Sequence, residues 1–396
     1  MNAPKIAYIS FDVVPAPKGA AIHIQAFAQA LRQHFGQVQL VTVSPTPSVI
    51  SQALTPAIGQ TALPAVGKTL IDRVLSFRQA LWEWLQGQFF EVIHIRSPLE
   101  GFPIALHKPK FCRYLIFEVN GLPSIELKYR YPKVADDREL MYKLVAQEAR
   151  CLQAADWVIT PSPVTRDFLV TRGAVRDRIH VIPNGVDCDV FRYASPRSAP
   201  ILTPLKMLYC GTLATWQGVD LAIDALHLYR REFEAQLTVI GPGKPNQLKN
   251  LEALTQKLKV IDAVKLVAPL PLAELVERMH AHDVIVAPLK GCDRNLVQGC
   301  CPLKVLEGMA VGTPVITTDI PAVQAIGVPN RHFLAVKPNS AKSIKDRMLQ
   351  LRANPALRLA LSQQARKQVT QHFTWQQASQ RLIQVYEMLG LTVNKP

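Results

Sequence analysis

DVIVAPLKGCDRNLVQGCCPLKVLEGMAVGTPVITTD, residues 283–319, is the stretch from which the fold is read. It opens with a β-branched run, Val284 to Ala287, passes through a loop containing Gly and Cys, and closes on a second run, Pro314 to Thr317. Between the runs, Pro302 suits the first position of a helix, and Gly312 with Pro314 suits its end. Strand, crossover helix and strand make the repeating unit of a parallel sheet. The same alternation continues outward in both directions. The first half carries runs at Ile6 to Ser10, Val38 to Val43, Val92 to Arg96, Tyr114 to Val119, Trp157 to Pro161 and Ile179 to Pro183. The second half carries Met207 to Cys210, Leu237 to Ile240, Val264 to Val267, Val284 to Ala287, Pro314 to Thr317 and His332 to Val336. Helical patterns such as residues 136–155 and 271–282 lie between them. We therefore expect two doubly wound α/β domains of six strands each, facing across one deep cleft. Ligands of such sheets lie beyond the carboxyl ends of the strands.

The rhythm breaks at residues 184–205, where prolines and small residues replace the apolar periodicity, and this stretch reads as a domain linker. The expected division is 1–190, 200–374 and a final helix, 375–396, that Thr374 could cap. Residues 45–69, rich in Pro, Ser, Thr and Ala with almost no charge, read as a long surface loop.

With 396 residues, 48% hydrophobic and 19% charged, the chain is no disordered tail, collagen or coiled coil. Its formal net charge of +15 suits anionic ligands. The basic residues are scattered without interleaved aromatics, so nucleic acid is not an expected partner. No apolar stretch reaches the length of a membrane-spanning helix, and residues 1–10 lack a signal-like pattern, so a cytoplasmic protein is expected. The seven cysteines form no C-x2-C pair and read as reduced, partly buried residues. Cys292, Cys300 and Cys301 have no neighbouring histidine in sequence to complete a metal site. Gly241-Pro242-Gly243 lacks the third glycine of a dinucleotide fingerprint, with Asn246 in its place and no proper helix start following, which argues against a nicotinamide enzyme.

The chemistry concentrates around residue 300. The loop Gln298 to Cys301 would present free amides at a helix start, a site for phosphate. Lys304 in the first turn and Arg294 on the loop could converge on a diphosphate. Glu307 shares the face of Lys304, and its carboxylate would accept hydrogen bonds from paired ribose hydroxyls. The plainer reading is a solvated pair worth a few tenths of a kcal/mol. The glycine-rich turn and the preceding buried strand favour the site.

The segment PLKVLEGMAVGTPVITTDIPAV (302–323) resembles the nucleotide-sugar site of family 4 glycosyltransferases. The likeness continues in PAPKGAAIHI (15–24), VITPSPVTRDFL (158–169), HVIPNGVD (180–187), LYCGTLATWQGVDLAIDAL (208–226) and LTVIGPG (237–243). The resemblance implies a GT-B fold of two facing Rossmann-like domains, with the last helix crossing back to the first. It implies a hexosyltransferase that retains anomeric configuration and uses a nucleoside diphosphate donor, a UDP- or GDP-sugar, without metal or other cofactor. It also implies a sugar or lipid-linked acceptor and makes peripheral contact with the inner membrane face a further expectation.

By this resemblance Glu307 matches the second glutamate of an E-x7-E motif, while the first falls at Gly299 and is absent. An Arg and a Lys of the family fall at Thr212 and Gln217, so Arg294 and Lys304 are read as replacement cations. Gly19, Gly211, Gly241, Cys300, Cys301 and Leu303 complete the expected donor side. Asn120 stands near the family's histidine after the fourth strand, where it would orient the sugar or simply form an Asn-Gly turn. His23 would touch the acceptor or cap local carbonyls, and Lys18 would be solvated or contact phosphate. Glu118, Glu126, Tyr129 and Tyr131 are candidates for the acceptor side, the last three on a loop where the tyrosines could equally be packing. Asp187-Cys188-Asp189 spells D-x-D, read here as turn and cap rather than metal ligand, and Asn184-Gly185 reads as a hinge that reaches the donor. Competing classes are a non-catalytic nucleotide-sugar binder and a sugar-nucleotide epimerase.

Overall fold

The computed structural model describes residues 4–16, 18–55 and 58–391. Two compact units divide the chain: Met1–Pro183 with Gln376–Pro396, and Asn184–Trp375.

The first unit is built on eight strands: β1 (Ile6–Ile9), β2 (Val38–Val43), β3 (Ile50–Thr55), β4 (Ile58–Leu63), β5 (Phe90–Ile95), β6 (Cys112–Glu118), β7 (Trp157–Thr160) and β8 (Ile179–Val181). Their order is β3-β4-β2-β1-β5-β6-β7-β8, and only β3 runs antiparallel to its neighbour. The long loop expected over residues 45–69 is therefore corrected to a strand pair that widens the sheet. Residues Gln39 to Val43 pair in parallel with Gly59 to Leu63. Ile58, Ala62 and Leu63 are buried, and the Gln60 amide donates to Val14 O and Thr42 Oγ1 at 2.7 and 2.6 Å. A low-charge, Thr- and Ala-rich segment thus satisfies its backbone in a sheet edge rather than in water.

The second unit has six parallel strands: β9 (Leu205–Cys210), β10 (Ala235–Ile240), β11 (Val264–Val267), β12 (Val284–Ala287), β13 (Val315–Thr318) and β14 (Leu334–Val336), in the order β11-β10-β9-β12-β13-β14. Both faces are covered. Ile285 and Ala287 of β12 enter one apolar cluster with Leu208, Val305 and Met309, while Val284 and Val286 enter another with Met207, Leu226 and Ile344. Period-2 alternation into two cores explains why these strands read as continuous apolar runs. Residues 184–204 are largely irregular, yet Val186 and Phe191 are buried in the core of this unit. A helix, Pro245–Lys257, does follow Gly243, correcting the expectation that none starts there. Pro245 presets its first turn, and Lys244 N donates to Gln247 Oε1 at 2.8 Å.

Candidate active site

In the second unit the loops leaving β9 and β10 touch. Gly211 has φ +133° and Gly241 φ +150°, and a Cβ on Gly241 would stand 2.0 Å from Gly211 O. Only glycine permits this approach. A Cβ on Gly211 would in turn meet Lys304 Nζ at 3.1 Å. The loop leaving β9 therefore passes close beside the Lys304 amine.

Lys304 comes from the Leu303–Val311 helix, where Pro302 is the cap residue rather than the first helical one. Pro302 O accepts from the amides of Val305 and Leu306. The Leu303 and Lys304 amides precede that ladder at a helix start without a side-chain cap. Lys304 is only 8% exposed, yet its amine donates to Tyr209 Oη and Gln217 Oε1 at 2.8 and 2.7 Å and lies 4.1 Å from the centre of the Tyr209 ring. Burial lowers its pKa to about 8. One turn on, burial raises the Glu307 carboxyl to about 7 against the pull of Lys304.

Arg294 begins a π-helical turn, Arg294–Gln298, and its guanidinium lies 5.4 Å from the centre of the Trp216 ring. The two cations thus bracket neighbouring residues of one loop, Arg294 at Trp216 and Lys304 at Gln217. At the positions where the resemblance implies cations, Thr212 is exposed and Gln217 binds the Lys304 amine. Gly299 ends the π turn with φ +80°, and its N–H bonds Arg294 O at 3.1 Å. Of the free amides expected over 298–301, that of Gly299 is used, and the helix itself starts at Leu303 and Lys304. The Cys300 and Cys301 side chains pack in the apolar core, which leaves only their backbone for ligand contact. Cys301 O accepts from Asn184 Nδ2 at 2.7 Å, so Asn184 steadies this loop. Gly185 is needed where the chain passes Trp375, whose N would lie 2.3 Å from an added Cβ. Asp187 Oδ1 accepts from the Asp189 and Val190 amides at 2.9 and 3.2 Å, forming a turn. Among the described residues no group of three His, Cys, Asp or Glu side chains could hold a metal ion.

In the first unit, alternate residues of β1 and β5 and the end of β6 place Tyr8, His94 and Glu118 on the same face of the sheet. Glu118, read from the sequence as an acceptor contact, is corrected to an enclosed anchor at 1% exposure. Tyr8 Oη donates to it at 2.7 Å, Arg96 Nε donates at 3.1 Å, and His23 and His94 stand at 2.9 and 3.2 Å. The Asn120 amide also donates to Glu118, and Asn120 itself is half-buried. Burial alone would raise the Glu118 pKa, but its neighbours His23 and Arg96 hold it well below the usual carboxylate range. His23, 3% exposed, turns its Nε2 inward onto Glu118 rather than toward an acceptor. Arg96 continues to Asp12 Oδ2 at 3.2 Å, and Asp12 Oδ1 accepts from Lys18 at 2.7 Å, so Lys18 is ion-paired. His94 Nδ1 meets Tyr386 Oη at 2.8 Å, which brings in the final helix, Trp375–Glu387. Gly19 is the first residue of the Gly19–Phe35 helix, which starts without a side-chain cap. Glu126 and Tyr129 lie on a helix, Pro123–Arg130, not on the expected loop, and both are half-buried. Tyr131 follows that helix and is exposed. Sequence reading missed Tyr8, Asp12, His94, Arg96, Tyr209, Trp216 and Asn295. Of these only Arg96, at the end of a predicted strand, carried a positional signal.

Two parallel-sheet α/β units, with the last segment returning to the first, are the architecture of the GT-B class. Residues 17–190 match the family described as Glycosyltransferase Family 4, and residues 194–368 match Glycosyl transferases group 1. A D-inositol 3-phosphate glycosyltransferase from Xylanimonas cellulosilytica is 28% identical over 312 residues, 75% of this chain and 72% of that protein. A glycogen synthase from Mycobacterium tuberculosis is 28% identical over 61% of this chain and 56% of its own length. Among solved structures, sucrose-phosphate synthase from Thermosynechococcus elongatus superposes with TM-score 0.81 at 23% identity, covering 98% of this chain and 99% of that one. HepE from Anabaena in complex with UDP-glucose superposes with TM-score 0.74 at 14% identity, covering 97% and 100%. The chain belongs to the family 4 glycosyltransferases and is an enzyme of hexosyltransferase type.

Proposed function

We propose that this enzyme moves a hexosyl group from a UDP- or GDP-sugar to an acceptor hydroxyl of a glycan, glycolipid or polysaccharide precursor, with retention of configuration and no metal or other cofactor. The observation that carries the reading is the bracketing of one loop, Trp216 and Gln217, by Arg294 and Lys304 beside an uncapped helix start. The relatives' names, which include synthases that join sugars, and the UDP-glucose complex of HepE support the donor class.

In this mechanism Lys304, Arg294 and the amides of Leu303 and Lys304 stabilise charge that grows on the departing diphosphate. Glu307 receives the ribose hydroxyls. The leaving oxygen takes the acceptor proton on the face it departs from, while Asn120 orients the sugar. Lys304 suits the task because its current partners are neutral: an arriving phosphate supplies the opposite charge that burial withholds, and its pKa rises on binding.

A thermal-shift screen of nucleoside diphosphate sugars against the full chain tests the reading. The expected result is selective stabilisation by one donor, lost in Lys304→Met. Transfer by the selected donor, with the product's anomeric configuration read by NMR, completes it. Binding without turnover across a broad acceptor panel would turn the reading into that of a binding protein, and turnover untouched by neutral substitutions at 294 and 304 would overturn it.

A further inference from the structure

Asn295 is completely buried, at 0% exposure, between the two loops that carry the donor-site residues. Its Nδ2 donates to Trp216 O at 2.9 Å and to Lys290 O at 2.8 Å, while its Oδ1 accepts from Arg294 NH1 at 3.2 Å. Trp216 O also accepts from Lys290 N at 3.0 Å, so the loop after β9 and the loop after β12 are sewn together at this carbonyl. Close approach is built in nearby: Gly218 has φ +73°, and a Cβ there would fall 1.9 Å from Pro288 O. One amide therefore joins the two loops with both its donor protons and steers the guanidinium with its acceptor.

We infer that Asn295 is the positioning residue of the donor site, a side chain that touches no substrate yet fixes where Arg294 and, through Trp216 and Gln217, Lys304 meet the diphosphate. This rests on the donor reading given above. Cations that stabilise charge appearing late in the reaction lose effect when displaced by even an ångström, whereas ground-state binding is less sensitive. Losing the clamp should lower kcat more than it raises the donor KM.

Asn295→Asp keeps the shape and the hold on Arg294 but replaces both amide donors by an acceptor facing two carbonyls. It separates the clamp from the guanidinium contact. The expected outcome is a kcat lower by roughly 30-fold with donor KM changed less than about threefold. Hydrogen exchange should accelerate in residues 214–218 and 290–296 while the rest of the second unit keeps its protection. In a double-mutant cycle with Arg294→Met, the Asn295→Asp effect should shrink from about 30-fold to about fivefold, the remainder being the part carried through Trp216 and Gln217 to Lys304. Additive losses, or a fall in KM and kcat together with exchange unchanged in those loops, would overturn the inference. Asn295→Ser serves as a second variant, and if both variants abolish cooperative unfolding of the second unit, Asn295 is a stability residue and the inference falls. Should Arg294→Met and Lys304→Met leave turnover at the wild-type level, the donor reading itself fails. If those two are crippled while Asn295→Asp is fully active, only the clamp is wrong.

Discussion

Two of the buried ionic regions among the described residues, those at Glu118 and Lys304, are built on opposite plans. Around Glu118 in the first unit every charge is answered internally: Arg96 meets Glu118 and Asp12, and Lys18 meets Asp12. Around Lys304 in the second unit the buried ammonium is held by a phenol and an amide, and among the described residues no carboxylate lies within ion-pair distance of it. A closed network of charges spends its electrostatic attraction on the native fold. A buried cation with neutral partners keeps that attraction for a ligand. Perturbed groups of the second kind mark functional sites; those of the first kind more often mark scaffolding.

The contrast is open to direct attack. Glu118→Ala removes the anion that His23 and Arg96 surround, leaving a buried guanidinium partly unanswered. It should lower the unfolding free energy of the first unit by about 3–5 kcal/mol, measured by denaturant titration. Unchanged stability would erase the distinction. Lys304→Met should show the reverse pattern, with kcat down roughly 100- to 1,000-fold in a UDP- or GDP-release assay and stability equal to or above wild type, because an unpaired buried charge is gone.

Donor affinity should peak between the two raised or lowered pKa values in the second site. Lys304 titrates at about 8 in the free protein, so above that pH diphosphate binding must recruit a proton and weakens up to tenfold per pH unit. Glu307 titrates at about 7, so below that pH its carboxylate is protonated and the ribose hold weakens. Isothermal titration with UDP or GDP across this range, repeated on Glu307→Gln, should lose only the acid limb. The smallest effect is expected of Asn120→Ala, roughly tenfold in kcat through one hydrogen bond to the sugar. A loss as large as that of Lys304→Met would move Asn120 from orienting sugar to the centre of the chemistry.

What could be read from the sequence follows from distance along the chain. The shared helical face of Lys304 and Glu307 was legible because both lie in one helix whose start is marked by Pro302, and the inner strands of the second unit because both their faces are apolar. The pair β3 and β4 was not, since a Ser- and Thr-rich edge carries neither strict alternation nor strong β-branching. Glu118 was noticed but misassigned: its partners Tyr8 and Arg96 lie 110 and 22 residues away, and nothing local announces that they converge. Asn295 looked like an ordinary loop residue until the fold brought Trp216, 79 residues earlier, against its amide. The anchoring of Lys304 on Gln217, one of the positions that the resemblance leaves neutral, required the structure.

The hydroxyl of Tyr386 reaches back across 292 residues to His94. A ribosome must deliver nearly all of the described chain before the polar heart of the first unit is complete. Until then the early strands wait with an imidazole short of its neighbour, and shortened products ending before that tyrosine should be the forms that quality-control proteases remove first.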